Sequence, residues 1–196
     1  MSRALRPAVG ALLSTAVLAA LAVLTGQPLL FPSLGPTAYL LFATPTHPAA
    51  SPRNTVVGHL IGVLSGAAGL AVFGLWHTPP ALDHLTWARA GAAALALTCT
   101  CGGMAWSGLP HPPAGATTLI VALGVLHTPV HLAEILVGVV LLLAVAALVN
   151  RLTGVPYPLW GPAAEPRRPG VFAMRHRTWS SSTASTAPRR PRRPAS

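Results

Sequence analysis

The chain has no lysine and only three acidic residues among 196, and charged side chains make up 8% of it. A soluble globule of this size needs more charge on its surface, so that class of protein is excluded. Hydrophobic residues account for 52% of the chain, and the mean hydropathy is +0.58. The composition indicates an integral membrane protein whose surroundings are the lipid bilayer.

Cysteine is also scarce. Cys99 and Cys101 are the two in the chain, and they lie one residue apart within an apolar run. That spacing fits neither a disulfide framework nor a zinc site. Among eight histidines, His127 and His131 are the single pair four residues apart, and Pro129 lies between them. A Gly-x-Ser-x-Gly elbow, a phosphate-binding loop and a close carboxylate pair are absent too. We therefore expect no metal, no cofactor and no enzyme activity.

The formal charge of +10 does not indicate a nucleic-acid partner, because nine of the 13 arginines lie at residue 151 or beyond. Residues 155–196 are rich in proline, arginine and serine and cannot form a core, so we predict a disordered cytoplasmic tail there. Such a tail either binds anionic lipid headgroups or is simply solvated. Residues 1–154 are predicted to form one transmembrane domain.

Four apolar stretches are long enough to cross a hydrocarbon layer of about 30 Å. They cover residues 8–24, 55–75, 88–106 and 130–148. The first resembles a signal peptide, but further membrane-like sequence follows it, which favours a retained helix. Tryptophans lie near several of the predicted ends, as in an aromatic belt. We predict four full transmembrane helices.

Two further apolar stretches are too short to span, and both are associated with proline. The first covers residues 29–43 and contains Pro32, and the second covers residues 114–126 and follows Pro112 and Pro113. Proline fixes φ and lacks an N–H, which suits the first turn of a helix. The second stretch would measure about 20 Å as a helix. Each is predicted to be a half-helix, either re-entrant or broken.

The two short stretches align at a shift of 80 residues, with six identities over residues 32–58. The order of long helix, half-helix, loop with histidine and long helix also occurs twice. We therefore predict an all-α polytopic membrane protein with two internal repeats, at about residues 8–75 and 88–150. The identical pairs are Pro32 and Pro112, Gly35 and Gly115, Thr37 and Thr117, His47 and His127, Val57 and Val137, and Gly58 and Gly138.

Two topologies fit this pattern. If the half-helices enter and return on the same side, the chain crosses four times and the repeats run parallel. If each half-helix crosses with the help of extended flanks, the chain crosses six times and the repeats are inverted. In both cases the two termini share one side, which the positive-inside rule makes cytoplasmic. We favour four full spans plus two short elements in the cell membrane.

Paired short segments interrupted by glycine and proline are typical of transport sites near the middle of a membrane. A half-helix N-terminus offers unpaired N–H groups and the positive end of a dipole, both of which favour an anion. Glycine permits a close approach, and threonine hydroxyls either bind an oxyanion or serve packing and capping alone. The predicted substrate-binding residues here are Pro32, Gly35, Thr37, His111, Pro112, Pro113, Gly115, Thr117 and Thr118.

Four ionisable side chains are candidates for the predicted site. His111 is a ligand donor, a proton acceptor or a cap of the second half-helix. His59 lies within a span, where an ionisable side chain is a functional candidate by default. Arg53 either pairs with the anion or marks the cytoplasmic loop. Glu134 lies near a helix start, where the dipole favours a carboxylate, so we interpret it as a cap. His59 and Arg53 complete the predicted site.

These motifs resemble the HPP family of integral membrane proteins over about residues 8–150. The resemblance rests on residues 111–117 and 32–38, the Pro-Arg-Asn triplet at 52–54 and the Gly-His pair at 58–59. It implies a four-helix transporter or channel for a small anion such as nitrite, because some members are associated with nitrite transport. The competing interpretation is an assembly or regulatory subunit in which the motif only folds the half-helices. A homo-oligomer is compatible with both, since four spans enclose little volume.

Overall fold

The computed structural model describes residues 5–80 and 84–162. Within these two ranges the chain has six α-helices, one 3₁₀ turn and no strand. Asp83 and the predicted tail beyond residue 162 lie outside the described residues. The helices are α1 (Leu5–Thr25), α2 (Leu34–Ala43), α3 (Pro52–Val72), α4 (Trp87–Ser107), α5 (Ala114–Ala122) and α6 (Pro129–Leu152), and the 3₁₀ turn is Pro48–Ala50.

Long helices begin where the sequence provides a capping hydroxyl. The Ser51 hydroxyl accepts the Asn54 N–H at 3.4 Å at the start of α3. The Thr128 hydroxyl accepts the His131 N–H at 3.2 Å at the start of α6, and Thr86 caps α4 in the same way. In α3 and α6 a proline follows the cap, where its missing N–H costs nothing.

Three helices, α1, α3 and α6, are long and apolar enough to cross a membrane, with 21, 21 and 24 residues. At this length each reaches about 30 Å or more. The helix α4 also has 21 residues, but alanine, glycine and threonine make up much of it, and it is less apolar than the other three. Three of the four predicted spans are therefore found, and α4 as the fourth stays a prediction.

The two short apolar helices are α2, with 10 residues, and α5, with 9. Each is about half the length that a span requires. Pro112 and Pro113 form a turn directly before α5 instead of its first helical residues, because the N–H groups of Ala114 and Gly115 donate to the carbonyls of His111 and Pro112, both at 3.0 Å. Two short helices are thus present as expected, with α5 ending at Ala122 and not at residue 126.

One end of the bundle, which we call the basic end, holds Arg6, Arg53 and Arg151. The helix α1 begins there beside the last turn of α2, since Arg6 Nε donates to the Phe42 carbonyl at 3.1 Å. The helix α3 begins there beside the segment that follows α6, since the Arg53 N–H donates to the Trp160 carbonyl at 2.9 Å. The ends of α2 and α6 and the starts of α1 and α3 therefore meet at the basic end.

The opposite end holds the starts of α4 and α6 and the ends of α3 and α5. Arg89, in the first turn of α4, donates to the carbonyl of Thr78 at 2.6 Å and to that of Ala122 at 3.4 Å. Thr78 follows α3, and Ala122 ends α5. Back at the basic end, the Asn54 amide donates to the carbonyl of Pro110, which follows α4, at 3.3 Å. Consecutive helices therefore run in alternating directions.

Glycines on one face of α3 bring its backbone against α5. A Cβ added at Gly58 would lie 2.6 Å from the His111 Cβ, and one at Gly62 would lie 2.7 Å from the Ala114 carbonyl oxygen. At Gly66 a Cβ would meet the Val121 Cβ at 2.7 Å. Because these distances leave no room for a methyl group, the small residues of α3 are what allow its close packing on α5.

The helices α3 and α6 pack on different neighbours. The helix α3 packs mainly on α4 and α5, whereas α6 packs on α1, α2 and α3. The apolar core lies between these groups. Its fully buried side chains include Leu18, Leu41, Phe42, Leu70, Val121, Ile135, Val139 and Leu142.

Candidate functional site

Five polar side chains meet in the interior where α2, α3 and α5 come together. We call them the central polar cluster, and all five are fully buried. Such groups cost free energy in an apolar bundle unless they hydrogen-bond one another. The members of the cluster are Ser33, Thr37, His59, His111 and Thr117.

The two imidazoles lie at the heart of this cluster. His59 Nε2 and His111 Nε2 are 3.2 Å apart, and the ring centroids are 4.9 Å apart. His111 Nδ1 lies 2.7 Å from the Ala49 carbonyl oxygen, which can only accept. In its neutral form His111 therefore carries its hydrogen on Nδ1, and its Nε2 is an acceptor.

This tautomer fixes the hydrogens of the remaining members. A bare Nε2 on His111 requires a hydrogen on the facing Nε2 of His59, because two lone pairs at that distance would repel. His59 Nδ1 is then bare and accepts the Thr117 hydroxyl at 2.7 Å. Thr117 Oγ1 in turn accepts the Ser33 hydroxyl at 2.7 Å. Each hydrogen bond of this chain runs from Ser33 towards Ala49.

Thr37 and Thr117 hold His59 from opposite sides. Thr37 Oγ1 lies 3.1 Å from His59 Nε2 and 3.4 Å from His111 Nε2, and its own hydroxyl donates to the Ser33 carbonyl at 2.8 Å. The sequence placed these two threonines at matching positions of the two short segments. The partner of His59, which the sequence did not identify, is thus the set of Thr37, Thr117 and His111.

Local backbone structure explains how His111 reaches this place. Gly58 has no side chain, so the His111 Cβ can lie against α3 one residue from His59. The turn made by Pro112 and Pro113 then directs the chain into α5. A longer side chain at residue 58 would push His111 away from the cluster, which makes this glycine part of the site's construction.

Fewer backbone N–H groups are free to bind an anion at the start of α5 than the sequence predicts. At the start of α5 the N–H groups of Ala114, Gly115 and Ala116 already donate to the preceding carbonyls at 3.0–3.1 Å. The His111 N–H points to the Met104 sulfur at 3.4 Å, and the two prolines have no N–H. An anion at this helix start would find hydroxyl and imidazole donors, not an unpaired backbone.

A groove of about 380 Å³ opens beside the cluster, between α1, α2 and α6. Pro32 and Gly35 from the predicted site line it, and no atom lies within 4 Å of a Cβ added at Gly35. Ser33 lies between two lining residues, Pro32 and Leu34. Its hydroxyl does not cap α2 and bonds Thr117 instead. Ser33, the first member of the hydrogen-bonded chain, is itself fully buried, and its two sequence neighbours line the groove.

Other predicted residues lie outside the cluster. The Thr118 hydroxyl pairs with Thr100 at 2.7 Å and donates to the Ala114 carbonyl at 3.0 Å. Gly115 would place a Cβ 3.5 Å from Leu97, an ordinary contact, whereas backbone and side chains approach closely at the α3 glycines. Arg53 lies at the basic end, where its Nε is buried without a hydrogen-bond partner.

The sequence did not single out Arg89, although it is the single arginine inside a predicted span. It is 2% exposed and donates to the carbonyl that ends α5. Arg6 does the same for α2 through Phe42. Phe42 and Ala122 are 80 residues apart, whereas Arg6 and Arg89 are 83 residues apart, so the alignment at a shift of 80 did not pair the two arginines.

The loop between α2 and α3 is anchored on both sides of this site. The Ala49 carbonyl accepts His111, and the neighbouring Ala50 carbonyl accepts the Tyr157 hydroxyl at 2.9 Å. Burial raises the pKa of Tyr157, so it remains a neutral donor. In the described part of the chain no three His, Cys, Asp or Glu side chains come together as metal ligands; the imidazole pair meets hydroxyls and a carbonyl.

Comparisons with known proteins agree with this architecture. The family model described as HPP, transmembrane region, matches residues 1–158. A transmembrane protein of Dictyostelium discoideum is 34% identical over 88 residues, which cover 45% of this chain and 25% of that protein. A second from the same organism is 31% identical over 93 residues, 47% of this chain and 30% of that protein. The matches thus span less than a third of either relative, and no solved structure matches the chain.

Proposed function

The chain belongs to the HPP family of transmembrane proteins, and from that premise we propose that it transports a small solute across the membrane. The observation that carries this proposal is the central polar cluster, two imidazoles and three hydroxyls buried between two short helices. Ionisable side chains inside a membrane domain are costly and are kept where they handle a solute or a proton. A purely structural core of this size would be expected to be apolar.

The helix directions support an inverted internal repeat as part of this proposal. Alternating helix directions make α1, α2 and α3 run opposite to α4, α5 and α6. Contacts recur at the repeat shift: Gly58 faces His111, and Gly138 faces Phe31, with an added Cβ 2.9 Å from the Phe31 ring. Short broken elements at matching places of two inverted repeats are the architecture of many secondary transporters. On this proposal each half-helix crosses with its extended flank, giving six crossings.

The packing around α3 differs from the packing around α6, and this difference suggests a route for the solute. The α3 glycines bring α3 directly onto α5, whereas α6 leaves the groove between itself, α1 and α2. The helix α1 has most of its large side chains exposed, including Leu12 and Leu13. We propose that the solute approaches through this groove and that α1 moves when the groove opens and closes.

The proposed solute is a small anion, with nitrite as the leading candidate from the family resemblance. Ser33, Thr37, Thr117 and the two imidazoles are groups that can exchange a hydrogen bond within the cluster for one to an oxygen atom of the anion, and there is open space at Gly35. Positive charges at the basic end favour a cytoplasmic location for that end in the cell membrane. A homo-oligomer remains compatible with this proposal.

A second candidate is an assembly or regulatory subunit that transports nothing. The observation in its favour is that each member of the central polar cluster already has a hydrogen-bond partner and is fully buried. In that case the cluster would serve only to fix α2, α3 and α5 relative to one another.

Nitrite uptake by liposomes containing the purified full chain separates these candidates. Protein-free liposomes are the first control, because nitrous acid crosses lipid unaided. The test variant is His111→Ala, which keeps the Cβ that Gly58 accommodates, and the matched variant is His84→Ala, an exposed histidine of the opposite end. Transport predicts saturable, protein-dependent uptake that falls in His111→Ala and not in His84→Ala. Uptake equal to the protein-free control would remove nitrite as the solute.

A further inference from the structure

The hydrogen bonds along the hydrogen-bonded chain of the central polar cluster all point the same way, from Ser33 towards Ala49. Hydrogens point from Ser33 to Thr117 at 2.7 Å, from Thr117 to His59 Nδ1 at 2.7 Å and from His59 Nε2 to His111 Nε2 at 3.2 Å. The Ala49 carbonyl fixes this order at the far end, since it cannot donate. A continuous chain of hydroxyls and imidazoles, in which Thr117, His59 and His111 each donate one hydrogen bond and accept another, is the arrangement along which protons are relayed.

The two ends of the chain differ in access. The Ala49 end is closed by a carbonyl, whereas Ser33 is flanked in sequence by Pro32 and Leu34, which line the groove. Ser33 is fully buried in this structure, so the proton joins the chain at Ser33 when the groove opens with the proposed movement of α1. At the closed end, the two facing Nε2 atoms share one hydrogen, so the imidazole pair has room for one proton more.

We propose that one proton is carried with each anion and that Ser33, Thr117 and His59 relay it from the groove to the His59–His111 pair. This inference rests on the proposed transport function and names its coupling ion. The neutral pair would bind the anion poorly, and the protonated pair would attract it. The anion and the proton then cross together as an electroneutral unit.

Each hydrogen in the relay is accounted for. The incoming proton bonds to Ser33 Oγ, the former Ser33 hydroxyl hydrogen moves to Thr117 Oγ1, and the former Thr117 hydrogen moves to His59 Nδ1. Each hydroxyl oxygen forms one O–H bond and breaks one, and His59 gains one N–H bond and a positive charge. Nothing is oxidised or reduced. Release of the anion and the proton reverses these transfers.

The relay also changes the direction of the Ser33 hydroxyl. Before it, Ser33 donates to Thr117, and no hydrogen points to the groove. After it, Thr117 donates to Ser33, and the new Ser33 hydrogen is free to point into the groove, where an anion accepts it. Protonation of the imidazole pair thus creates the donor that the anion uses, which links the two binding events.

The other titratable groups near the imidazole pair make no hydrogen bond or ring contact with it in the described residues. The elements packed around the imidazoles are α2, α3, α5, the 3₁₀ turn and the last turns of α4. Across the described residues, none of their remaining titratable or charged side chains has a hydrogen bond or ring contact with either imidazole. These side chains are Tyr39 on α2, His47 before the 3₁₀ turn, Arg53 on α3, and Arg89, Cys99 and Cys101 on α4.

The first test measures three quantities in liposomes that contain the full chain: nitrite uptake, internal pH and charge movement on a solid-supported membrane. We expect protein-dependent nitrite uptake with internal acidification and no net charge, faster at about pH 6 than at about pH 8. Thr117→Val keeps the branched shape and removes the relay hydroxyl, and it should slow uptake by about tenfold or more. Thr100→Val removes a buried hydroxyl that also bonds another hydroxyl at 2.7 Å, and it should retain the pH dependence.

The outcomes separate the two proposals. Protein-dependent uptake that carries one negative charge per nitrite and no proton would leave transport standing and overturn the coupling. Uptake in Thr117→Val at the unmodified rate would overturn the relay. Absence of any protein-dependent uptake would instead contradict nitrite transport.

Nitrogen NMR of isotope-labelled histidine in the lipid-reconstituted chain tests the relay without any solute. We expect a hydrogen on Nδ1 of His111 and on Nε2 of His59, and one shared protonation step as pH falls. The labelled signals are assigned with His84→Ala and His111→Ala. Two rings that carry the same tautomer, or that take up protons independently, would overturn the proposal whatever nitrite does.

Discussion

At the residue scale, Gly58 determines whether the two imidazoles can meet. An added Cβ would lie 2.6 Å from the Cβ of His111, and that atom belongs to the stem of the side chain, close to a backbone held by two prolines. The histidine cannot rotate away from such a contact, so α5 would have to move. The geometry of the central polar cluster therefore depends on a residue with no functional group.

The variant Gly58→Ala should accordingly unfold more easily than the natural chain. Overpacking of this kind costs about 1–3 kcal/mol. Gly102→Ala is the matched control, since no atom lies within 4 Å of its added Cβ, and alanine should there stabilise α4 by about 0.5–1 kcal/mol. Thermal unfolding in detergent measures both. Equal melting temperatures for the two variants would contradict the close contact.

The sequence identified His59, His111, Thr37 and Thr117 one by one, but not their mutual contacts. A hydrogen bond between residues 33 and 117 has no signature in local periodicity, because it depends on how α2 and α5 meet in three dimensions. Ser33 belongs to the motif at residues 32–38, and an N-cap is the usual role of serine before a helix. Only the structure shows that its hydroxyl turns away from the helix to Thr117.

At the element scale, each short helix is held at its C-terminal end by an arginine from the preceding long helix. A guanidinium there meets unpaired carbonyls and the negative end of the helix dipole. Arg89 serves α5 and also binds the carbonyls of Thr78 and Pro79, at 2.6 and 3.1 Å. Arg6 serves α2 through one bond. The helix α5 is therefore the more firmly fixed of the two.

Replacing Arg89 should cost more stability than replacing Arg6. Arg89→Met leaves buried carbonyls without donors, which we expect to destabilise the fold by about 3 kcal/mol. Arg6→Met removes one bond from a half-exposed side chain and should cost about 1 kcal/mol. Arg151→Met, at an exposed position of α6, serves as the control. Unfolding in detergent should rank the three in that order, and a harmless Arg89→Met would contradict the capping role.

The groove beside α2 offers a test of the proposed route. Gly35 has open space around it, so Gly35→Leu should fill the groove without disturbing the fold. We expect normal amounts of folded protein and a loss of protein-dependent nitrite uptake of about tenfold or more. Gly102→Leu makes the same change at an open helical glycine of α4. Unchanged uptake in Gly35→Leu would move the route elsewhere.

The lengths of the helices could be predicted from the sequence, because proline, glycine and the length of an apolar run determine locally where a helix begins and ends. The six helices and their order were predictable for that reason. The helix α4 is less apolar than the other long helices, because its alanine and glycine content reflects tight packing against α3 and α5 more than contact with lipid. Whether a short helix returns or crosses depends on its neighbours, which a local pattern does not contain.

At the scale of the whole molecule, the helix directions distinguish the two topologies left open by the sequence. With six crossings, residues 46 and 151 share the basic end, and residues 84 and 125 share the other. With re-entrant half-helices, residue 46 would lie across the membrane from residue 151. Residue 84 would then lie on the same side as residue 151. The two arrangements thus assign opposite sides to the same loops.

Cysteine labelling decides between them. In a background with Cys99 and Cys101 replaced by alanine, Thr46→Cys, His84→Cys and Arg151→Cys are each expressed in cells and treated with a membrane-impermeant maleimide. The proposed inverted repeat predicts that His84→Cys labels in intact cells, whereas Thr46→Cys and Arg151→Cys label only after the membrane is opened, because arginine-rich ends face the cytoplasm. Labelling of Thr46→Cys from outside, with His84→Cys protected, would establish re-entrant half-helices and parallel repeats. The two short helices would then share one orientation, and the contacts that relate Gly58 to Gly138 would need an explanation other than inverted duplication.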